Sequence, residues 1–233
     1  VVRGDYVAMA CEQSAERQAY LYPPYSLKDA NFELSVMKTP FVEAKNAGHI
    51  RFEGIKFCQS RGYGVRMTDV VDIDFTGCTF TDIQIDAIYI KGTKTAITDS
   101  TYWQVTQIDA SYDCDIRDNI FYNLGGAAID MAGGNVDTLR KANNNFENNF
   151  VSKVAQVIEY RCCITARGCG INVRNNNISR TPASGIYYTA NDCNFEYNEI
   201  YNVIQGQDDA GTIYCGRNAL QQGSVIAYNY IHH

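Results

Sequence analysis

The segments FENNFV (146–151), VRNNNI (173–178), FEYNEI (195–200) and IAYNYI (226–231) share one pattern: an apolar residue, two spacers, an asparagine, one spacer and an apolar residue. Three earlier segments, FEGIKF (52–57), FTGCTF (75–80) and IRDNIF (116–121), fit the same pattern with Ile55, Cys78 and Asn119 at the fourth position. Successive fourth positions are 23, 41, 30, 27, 22 and 31 residues apart. Self-similarity at such a period is typical of a protein built from stacked repeats.

A short aliphatic segment follows six of these seven motifs. The six are YGVRM, DAIYI, AAIDM, QVIEY, SGIYY and GTIYC, with the central residues Val65, Ile88, Ile129, Ile158, Ile186 and Ile213. Their offsets from the preceding fourth position are 10, 10, 10, 9, 10 and 15. The last offset therefore contains about five extra residues, and these include Asp208 and Asp209.

Short strands of two-residue period, separated by tight polar turns, predict an all-β solenoid whose strands stack in parallel. Because parallel crossovers are overwhelmingly right-handed, we expect a right-handed parallel β-helix with about seven recognisable coils of ~22 residues plus insertions. Stacking at ~4.8 Å would place Asn149, Asn176, Asn198 and Asn229 in an internal ladder in which each amide donates to the next. A leucine-rich repeat is the alternative, but the repeating leucines that it needs are absent.

We interpret residues 1–233 as a single β-helix domain, with 1–48 as a leading coil or cap region and 49–233 as the regular coils. Uncovered ends of a solenoid invite edge pairing. We therefore expect a longer natural chain, or a capping domain or assembly partner at the ends.

The composition limits the partners. The formal net charge of −6 with scattered cations gives no basic stripe, which argues against nucleic acid, and no apolar run approaches the ~20 residues of a membrane-spanning helix. Nine cysteines favour an oxidising, extracellular location, so we expect a secreted protein. The three histidines have no metal-ligand spacing, so no metal site is predicted.

Alternation along the strands predicts an outward column one residue after each central aliphatic residue. This column contains Arg66, Tyr89, Asp130, Glu159, Tyr187 and Tyr214, and a second column two residues further on contains Lys91 and Arg161. Aromatic rings stack on sugar faces, while carboxylates and cations bind hydroxyls or uronates. The pattern therefore predicts a groove for an extended polysaccharide.

The acids in this groove are the candidate catalytic residues. If Asp130 and Glu159 lie in successive coils, their carboxyl groups are about 5 Å apart, which is close to the separation in retaining glycosidases. Asp208 and Asp209 would overhang the same face, and Asp209 could protonate a leaving group or activate water. Arg217 could hold an acidic substrate group.

The segment 188–233 resembles secreted carbohydrate-active β-helix proteins of the pectate-lyase-like superfamily, and is similar to glycoside hydrolase family 141 and its relatives. Those proteins carry patterns like GNDH-x-I-E-Y-N-E-I, D-x-G-A-I-Y-x-G-R-D and G-x-x-I-x-Y-N-x-I-H. The matching positions here are Asn191, Asp192, Glu196, Tyr197, Asn198, Asp209, Gly211, Ile213, Tyr214, Gly216, Arg217, Gly223, Ile226, Asn229 and His232. The resemblance implies a carbohydrate-active protein in which Asp209, Arg217 and Asp192 are candidate site residues.

Three functions remain open from the sequence. The first is a glycoside hydrolase with Asp209 and either Asp130 or Glu159 as the catalytic carboxyls, with Tyr187, Tyr214, Asp192, Asp208 and Arg217 binding substrate. The second is a polysaccharide lyase in which Arg217, Arg161 or Lys91 removes a proton while acids hold calcium; otherwise no cofactor is predicted. The third is a glycan-binding or structural module without catalysis.

Overall fold

The computed structural model describes residues 35–93, 96–97, 105–107, 109–216, 218 and 221–233. In these residues three parallel sheets run along the molecule, and each coil contributes one strand to each sheet. The first sheet, sheet A, contains Val42–Lys45 (β1), Val65–Thr68 (β4), Ile88–Lys91 (β7), Ile129–Asn135 (β13), Ile164–Cys169 (β16), Ile186–Asn191 (β19) and Ile213–Cys215 (β22). All of these neighbours pair in parallel.

Two further parallel sheets complete the solenoid. Sheet B contains Gly48–Glu53 (β2), Val71–Thr76 (β5), Tyr112–Arg117 (β11), Asn144–Glu147 (β14), Ile171–Arg174 (β17), Asn194–Glu196 (β20) and Val225–Ala227 (β23). Sheet C contains Lys56–Ser60 (β3), Thr79–Ile83 (β6), Ile120–Tyr122 (β12), Phe150–Ser152 (β15), Asn177–Ser179 (β18), Glu199–Tyr201 (β21) and Tyr230–His232 (β24). The predicted all-β solenoid of seven parallel coils is confirmed.

An excursion between β7 and β11 holds three short strands. Ala96–Ile97 (β8) pairs antiparallel with Val105–Gln107 (β9), and Asp109–Ala110 (β10) pairs antiparallel with the end of β13. None of the described segments forms a helix with the length and apolar character needed to span a bilayer.

The core consists of columns of like side chains, because parallel in-register stacking places each residue on its equivalent in the next coil. Phe52 stacks on Phe75 with ring centroids 4.6 Å apart. Phe57, Phe80 and Phe121 form a second stack, with centroids 4.8 and 4.9 Å apart. Such stacks add a favourable ring–ring contact to the apolar burial of the coils that carry them.

The predicted asparagine ladder is confirmed at the turn between sheets B and C. The side-chain amides of Asn149, Asn176 and Asn198 donate to the Oδ1 atoms of Asn176, Asn198 and Asn229 at 3.1, 3.0 and 3.0 Å. Asn119 extends the ladder by one coil, since its amide donates to Asn149 at 3.1 Å. The ladder provides hydrogen-bond partners for buried backbone groups at this turn, which lies between two sheets and is not part of either.

Candidate functional site

The outer face of sheet A carries one continuous column of side chains. In register these are Glu43, Arg66, Tyr89, Asp130, Thr165, Tyr187 and Tyr214. Five of the six residues predicted for this column lie in it, and Glu159 is the exception. Near the middle of the column, Asp130, Thr165 and Tyr187 are at most 4% exposed although they point away from the core.

The predicted position of Glu159 is wrong. Ile164, not Ile158, pairs with Ile129 and Ile186, and Thr165 therefore stands opposite Asp130. Glu159 lies outside the strands, in the loop between β15 and β16. The predicted pair of carboxyls from Asp130 and Glu159 in successive strands does not form, because this coil carries extra residues before its sheet A strand.

Arg161 is displaced from its predicted column for the same reason. Arg167 takes the place next to Ala132 and Thr189 in the second outward column, and Arg161 lies in the loop before the strand. Lys91 lies where it was predicted, in register with Thr68 and Lys45.

Two long loops enter sheet A at the same turn of the coil. The first is residues 153–163, before β16, and the second is residues 202–212, before β22. They touch, since the side-chain amide of Gln207 donates to the backbone carbonyl of Glu159 at 3.0 Å. The first loop carries Arg161, and the second carries Asp208 and Asp209, both exposed.

The first loop brings Arg161 onto two buried carboxylates. The guanidinium donates from Nη1 to Asp130 Oδ2 at 3.2 Å, and its Nη2 forms an ion pair with Asp86 Oδ2 at 3.2 Å. Arg167 pairs with the other carboxylate oxygen of Asp130. The side chains of Asp86 and Asp130 are only 0% and 4% exposed. Two acids and two arginines thus form one buried ion network beneath the loop.

Asp86 enters this network from the turn that precedes β7. Its Oδ1 accepts the backbone N–H of Ala127 at 2.9 Å. The residue before Ala127 in the neighbouring coil is Gly126, and a Cβ on that residue would lie 2.5 Å from Asp86 Oδ1. The absence of a side chain at Gly126 therefore provides the space for the carboxylate.

Burial and the neighbouring charges shift the pKa values of Asp86 and Arg161 in this network. Burial raises the pKa of Asp86 to about 6, and the pull of Arg161 in the opposite direction is offset in part by the nearby charge of Asp130. Burial alone would lower the pKa of Arg161, but the carboxylates of Asp86 and Asp130 raise the pKa of this guanidinium above its ordinary value. A carboxyl that binds its proton in mildly acidic solution thus lies beside a guanidinium that keeps its charge.

Tyrosine pairs flank the network on both sides along the solenoid. Tyr63 and Tyr89 have ring centroids 5.3 Å apart, and Tyr187 and Tyr214 have centroids 6.0 Å apart. Burial, and then the charges of Asp86 and Asp130 respectively, raise the pKa values of Tyr63 and Tyr89. The two tyrosine rings therefore lie close enough to the carboxylates for the carboxylate charges to shift the tyrosine pKa values.

A shallow cleft of about 620 Å³ opens beside the first tyrosine pair. Its lining includes the three cations Lys45, Arg66 and Lys91, and one carboxylate, Glu43, which lies 3.8 Å from Arg66. In a chain with a net charge of −6, this is a local excess of positive charge on the face that carries the buried acids.

Of the other predicted site residues that the structure describes, Asp192 does not join the network. Asp192 lies in the turn between β19 and β20 with φ 51°, away from the outward columns of sheet A. Arg217 lies outside the described residues. Within the described ranges, no three or more His, Cys, Asp and Glu side chains come together as metal ligands would.

Asp86, Arg167 and Tyr63 were not among the site residues predicted from the sequence. The correct register would have revealed Arg167, since it follows Ile164 at the same distance as Thr189 follows Ile186. Asp86 gives no such signal, because it stands two residues before the central aliphatic residue of its strand, where other coils have a tyrosine, an alanine and a cysteine (63, 127 and 162).

A family model described as "Right handed beta helix region" matches residues 26–166, which is more than half of the chain. Comparison with curated proteins and with solved structures found no significant match.

Proposed function

Because the chain belongs to the right-handed β-helix family, we propose that it acts on an extracellular polysaccharide held along the outer face of sheet A, as a glycoside hydrolase. The observation that carries the proposal is the pair of buried carboxyls, Asp86 and Asp130, joined by the guanidinium of Arg161. The resemblance of residues 188–233 to glycoside hydrolase family 141 supports the same reaction class.

The two carboxyls have environments suited to different roles. Asp86 has a pKa of about 6 and can carry a proton in mildly acidic solution, so it is the proton donor to the glycosidic oxygen. Asp130 contacts two guanidinium groups, those of Arg161 and Arg167. It is the carboxylate that attacks the sugar or activates water. Glycoside hydrolysis uses such a pair of unequal carboxyls.

Substrate access requires Arg161 to move. Asp86 Oδ2 is inaccessible to solvent while the ion pair is closed, and the Arg161 side chain is 30% exposed. A sugar that enters between the two tyrosine pairs therefore displaces the guanidinium from Asp86 and exposes the proton donor. The first long loop, residues 153–163, is the element that moves with it.

The test is the release of reducing ends from a panel of plant and microbial polysaccharides. Asp86→Asn and Asp130→Asn are each expected to lower kcat by about 10²- to 10⁴-fold. The matched control is Asp137→Asn, which changes an exposed carboxylate in the loop after β13 and keeps full activity. Far-ultraviolet circular dichroism verifies that each variant is folded.

The variant Asp209→Asn tests whether the catalytic acid belongs to the buried pair or to the loop 202–212. Full activity in Asp86→Asn and Asp130→Asn, with loss in Asp209→Asn, would overturn the assignment and move the catalytic acid to residues 202–212. An unsaturated, ultraviolet-absorbing product that a chelator abolishes would instead identify a calcium-dependent lyase. The raised pKa of Arg161 works against its use as the base of such a lyase.

One observation favours a second candidate, glycan binding without turnover. Both carboxylates are paired with arginine side chains. Such buried ion pairs also occur where their only role is to hold the structure rigid. Retardation in a polysaccharide-containing native gel, with no reducing ends released across the panel, would decide for this candidate.

A further inference from the structure

One turn of every coil, between sheets B and C, requires a left-handed backbone. The seven residues at this position have φ between 55° and 64°: Gly54, Gly77, Asp118, Asn148, Asn175, Tyr197 and Tyr228. Successive coils are linked here, because the backbone N–H of each of the first six donates to a carbonyl of the next coil. Glycine, asparagine and aspartate tolerate this conformation, whereas a bulky side chain at positive φ is strained.

The last two coils depart from this rule. Tyr197 and Tyr228 occupy the left-handed position with φ of 58° and 57°. Tyr197 is 55% exposed although Asn175 and Tyr228 occupy the same turn in the coils on both sides of it, so core packing does not account for its side chain. Strained backbone positions that persist are concentrated at binding sites, which makes these two residues candidates for a recognition role.

The two rings form the centre of an exposed aromatic patch. They stack with centroids 5.0 Å apart and planes 10° apart. Tyr230, 64% exposed, points outward two residues after Tyr228, and His232 stacks on both Tyr230 and Tyr201 with centroids 4.4 and 5.0 Å apart. We define the aromatic patch as Tyr197, Tyr201, Tyr228, Tyr230 and His232.

The charges around the aromatic patch select the type of ligand. Glu196 and Glu199 place carboxylates beside it, and the guanidinium of Arg174 is paired with Glu196 at 3.1 Å. Glu199 accepts a hydrogen bond from the Asn177 amide at 2.6 Å and contacts His232 at 3.3 Å. Because Arg174 is already paired with Glu196, its charge is not available to a polyanion. The rings and hydrogen-bonding groups match the apolar faces and hydroxyls of neutral sugars.

We propose that the aromatic patch is a second glycan-binding site, which holds a neutral polysaccharide on a different face from the cationic cleft over sheet A. The sugar rings pack against the tyrosine rings, and the carboxylates accept hydrogen bonds from the sugar hydroxyls. The left-handed turn fixes the orientation of Tyr197 and Tyr228, so that the binding surface is formed before the ligand arrives.

The test uses native gels that contain arabinoxylan, mixed-linkage β-glucan or galactomannan, with polygalacturonate as the anionic comparison. The double variant Tyr197→Asn/Tyr228→Asn places in the last two coils the residue that Asn148 and Asn175 supply in earlier ones. We expect the wild type to be retarded by at least one neutral polysaccharide and this variant to bind it about tenfold more weakly or worse. Its Tm should be equal to or higher than that of the wild type, because the strain is relieved.

Tyr228→Phe is the matched control, since it keeps the ring and the strained turn, and it should retain most of the binding. A lower Tm in the double asparagine variant would show that the tyrosines are there for packing, and would overturn the proposal. Unchanged retardation of that variant, no retardation of the wild type in any neutral gel, or equal loss in Tyr228→Phe would overturn it as well. Reducing-end release, which tests hydrolysis at sheet A, is measured separately. The outcomes for hydrolysis and for glycan binding at the aromatic patch can therefore be told apart.

Discussion

Replacing one asparagine of the internal ladder tests what holds the coils in register. Asn176 Oδ1 accepts both the backbone N–H of Asn149, at 2.9 Å, and its side-chain amide, and Asn176 Nδ2 donates to the carbonyl of Phe146 at 2.9 Å. In Asn176→Leu the N–H of Asn149 and the carbonyl of Phe146 lose these partners in the protein interior. Each unsatisfied buried group costs about 1 to 3 kcal/mol, so we expect a loss of about 2 to 6 kcal/mol.

For a chain of this size, that loss lowers Tm by roughly 5 to 20 °C, which differential scanning calorimetry measures directly. The control is Asn172→Leu, in a second amide ladder on the outer face of sheet B. Asn172 also donates to one neighbour, Asn145, at 2.8 Å and accepts from another, Asn194, at 2.8 Å, but it is half-buried. Water can replace its partners, so we expect a cost below about 1 kcal/mol. Equal losses in the two variants would refute the argument, because burial would then not be what gives the internal ladder its stabilising effect.

Three further predictions concern the ion network and the coil backbone. The folded-state pKa of Asp86, about 6, lies above the ordinary value of 3.8, so the native state binds the extra proton and loses stability as pH rises from about 4 to about 6. Relative to Asp86→Asn, this loss is up to about 3 kcal/mol, and a Tm series across that window should show the two curves diverging and then running parallel. Gly168→Ala should be strongly destabilising in urea unfolding, because its Cβ would lie 1.9 Å from a backbone oxygen at φ 111°, whereas Gly54→Ala, with nothing within 4 Å, should cost only about 1 kcal/mol. Arg161→Leu leaves Asp86 without its cation and Asp130 with one instead of two. We therefore expect the free energy of unfolding to fall by about 3 to 5 kcal/mol at pH 7, and by less at pH 4. Equal losses at both pH values would contradict the assigned pairing.

The architecture could be predicted because stacking repeats the same physical requirement in every coil. An asparagine that satisfies buried backbone groups at one turn is needed again at the next, and the four ladder positions predicted from sequence are therefore visible as a period. Handedness follows from the general preference of parallel crossovers and agrees with the family match. Register within sheet A was predicted correctly for every strand that was predicted there except the one that begins at Ile164.

The error at Glu159 has a specific cause. The segment QVIEY has the same order of small, aliphatic and polar residues as a true sheet A strand and begins at the expected distance from Asn149. The actual strand begins at Ile164, whose offset of 15 from Asn149 equals that of Ile213 from Asn198. A local pattern could not decide between the two segments, because only pairing with β13 and β19 determines which one enters the sheet.

Asp86 shows a second limit of the sequence. Its burial depends on three distant features: the missing side chain at Gly126, the N–H of Ala127 and the guanidinium of Arg161. The last of these arrives only because the loop 153–163 folds back over the sheet. A single aspartate before a strand looks like an ordinary turn residue until that loop is placed.

The two long loops together explain why the candidate site lies where it does. Residues 153–163 and 202–212 leave the solenoid at equivalent turns two coils apart, so stacking sets them side by side, and the Gln207 hydrogen bond to Glu159 joins them. Beside them, the outward side chains of Asp130, Thr165 and Tyr187 lose nearly all of their solvent exposure. A bare solenoid face would leave these groups in water, where a carboxylate keeps an ordinary acidity. The polar interior at this face, and with it the raised pKa of Asp86, therefore depends on the insertions as much as on the repeat.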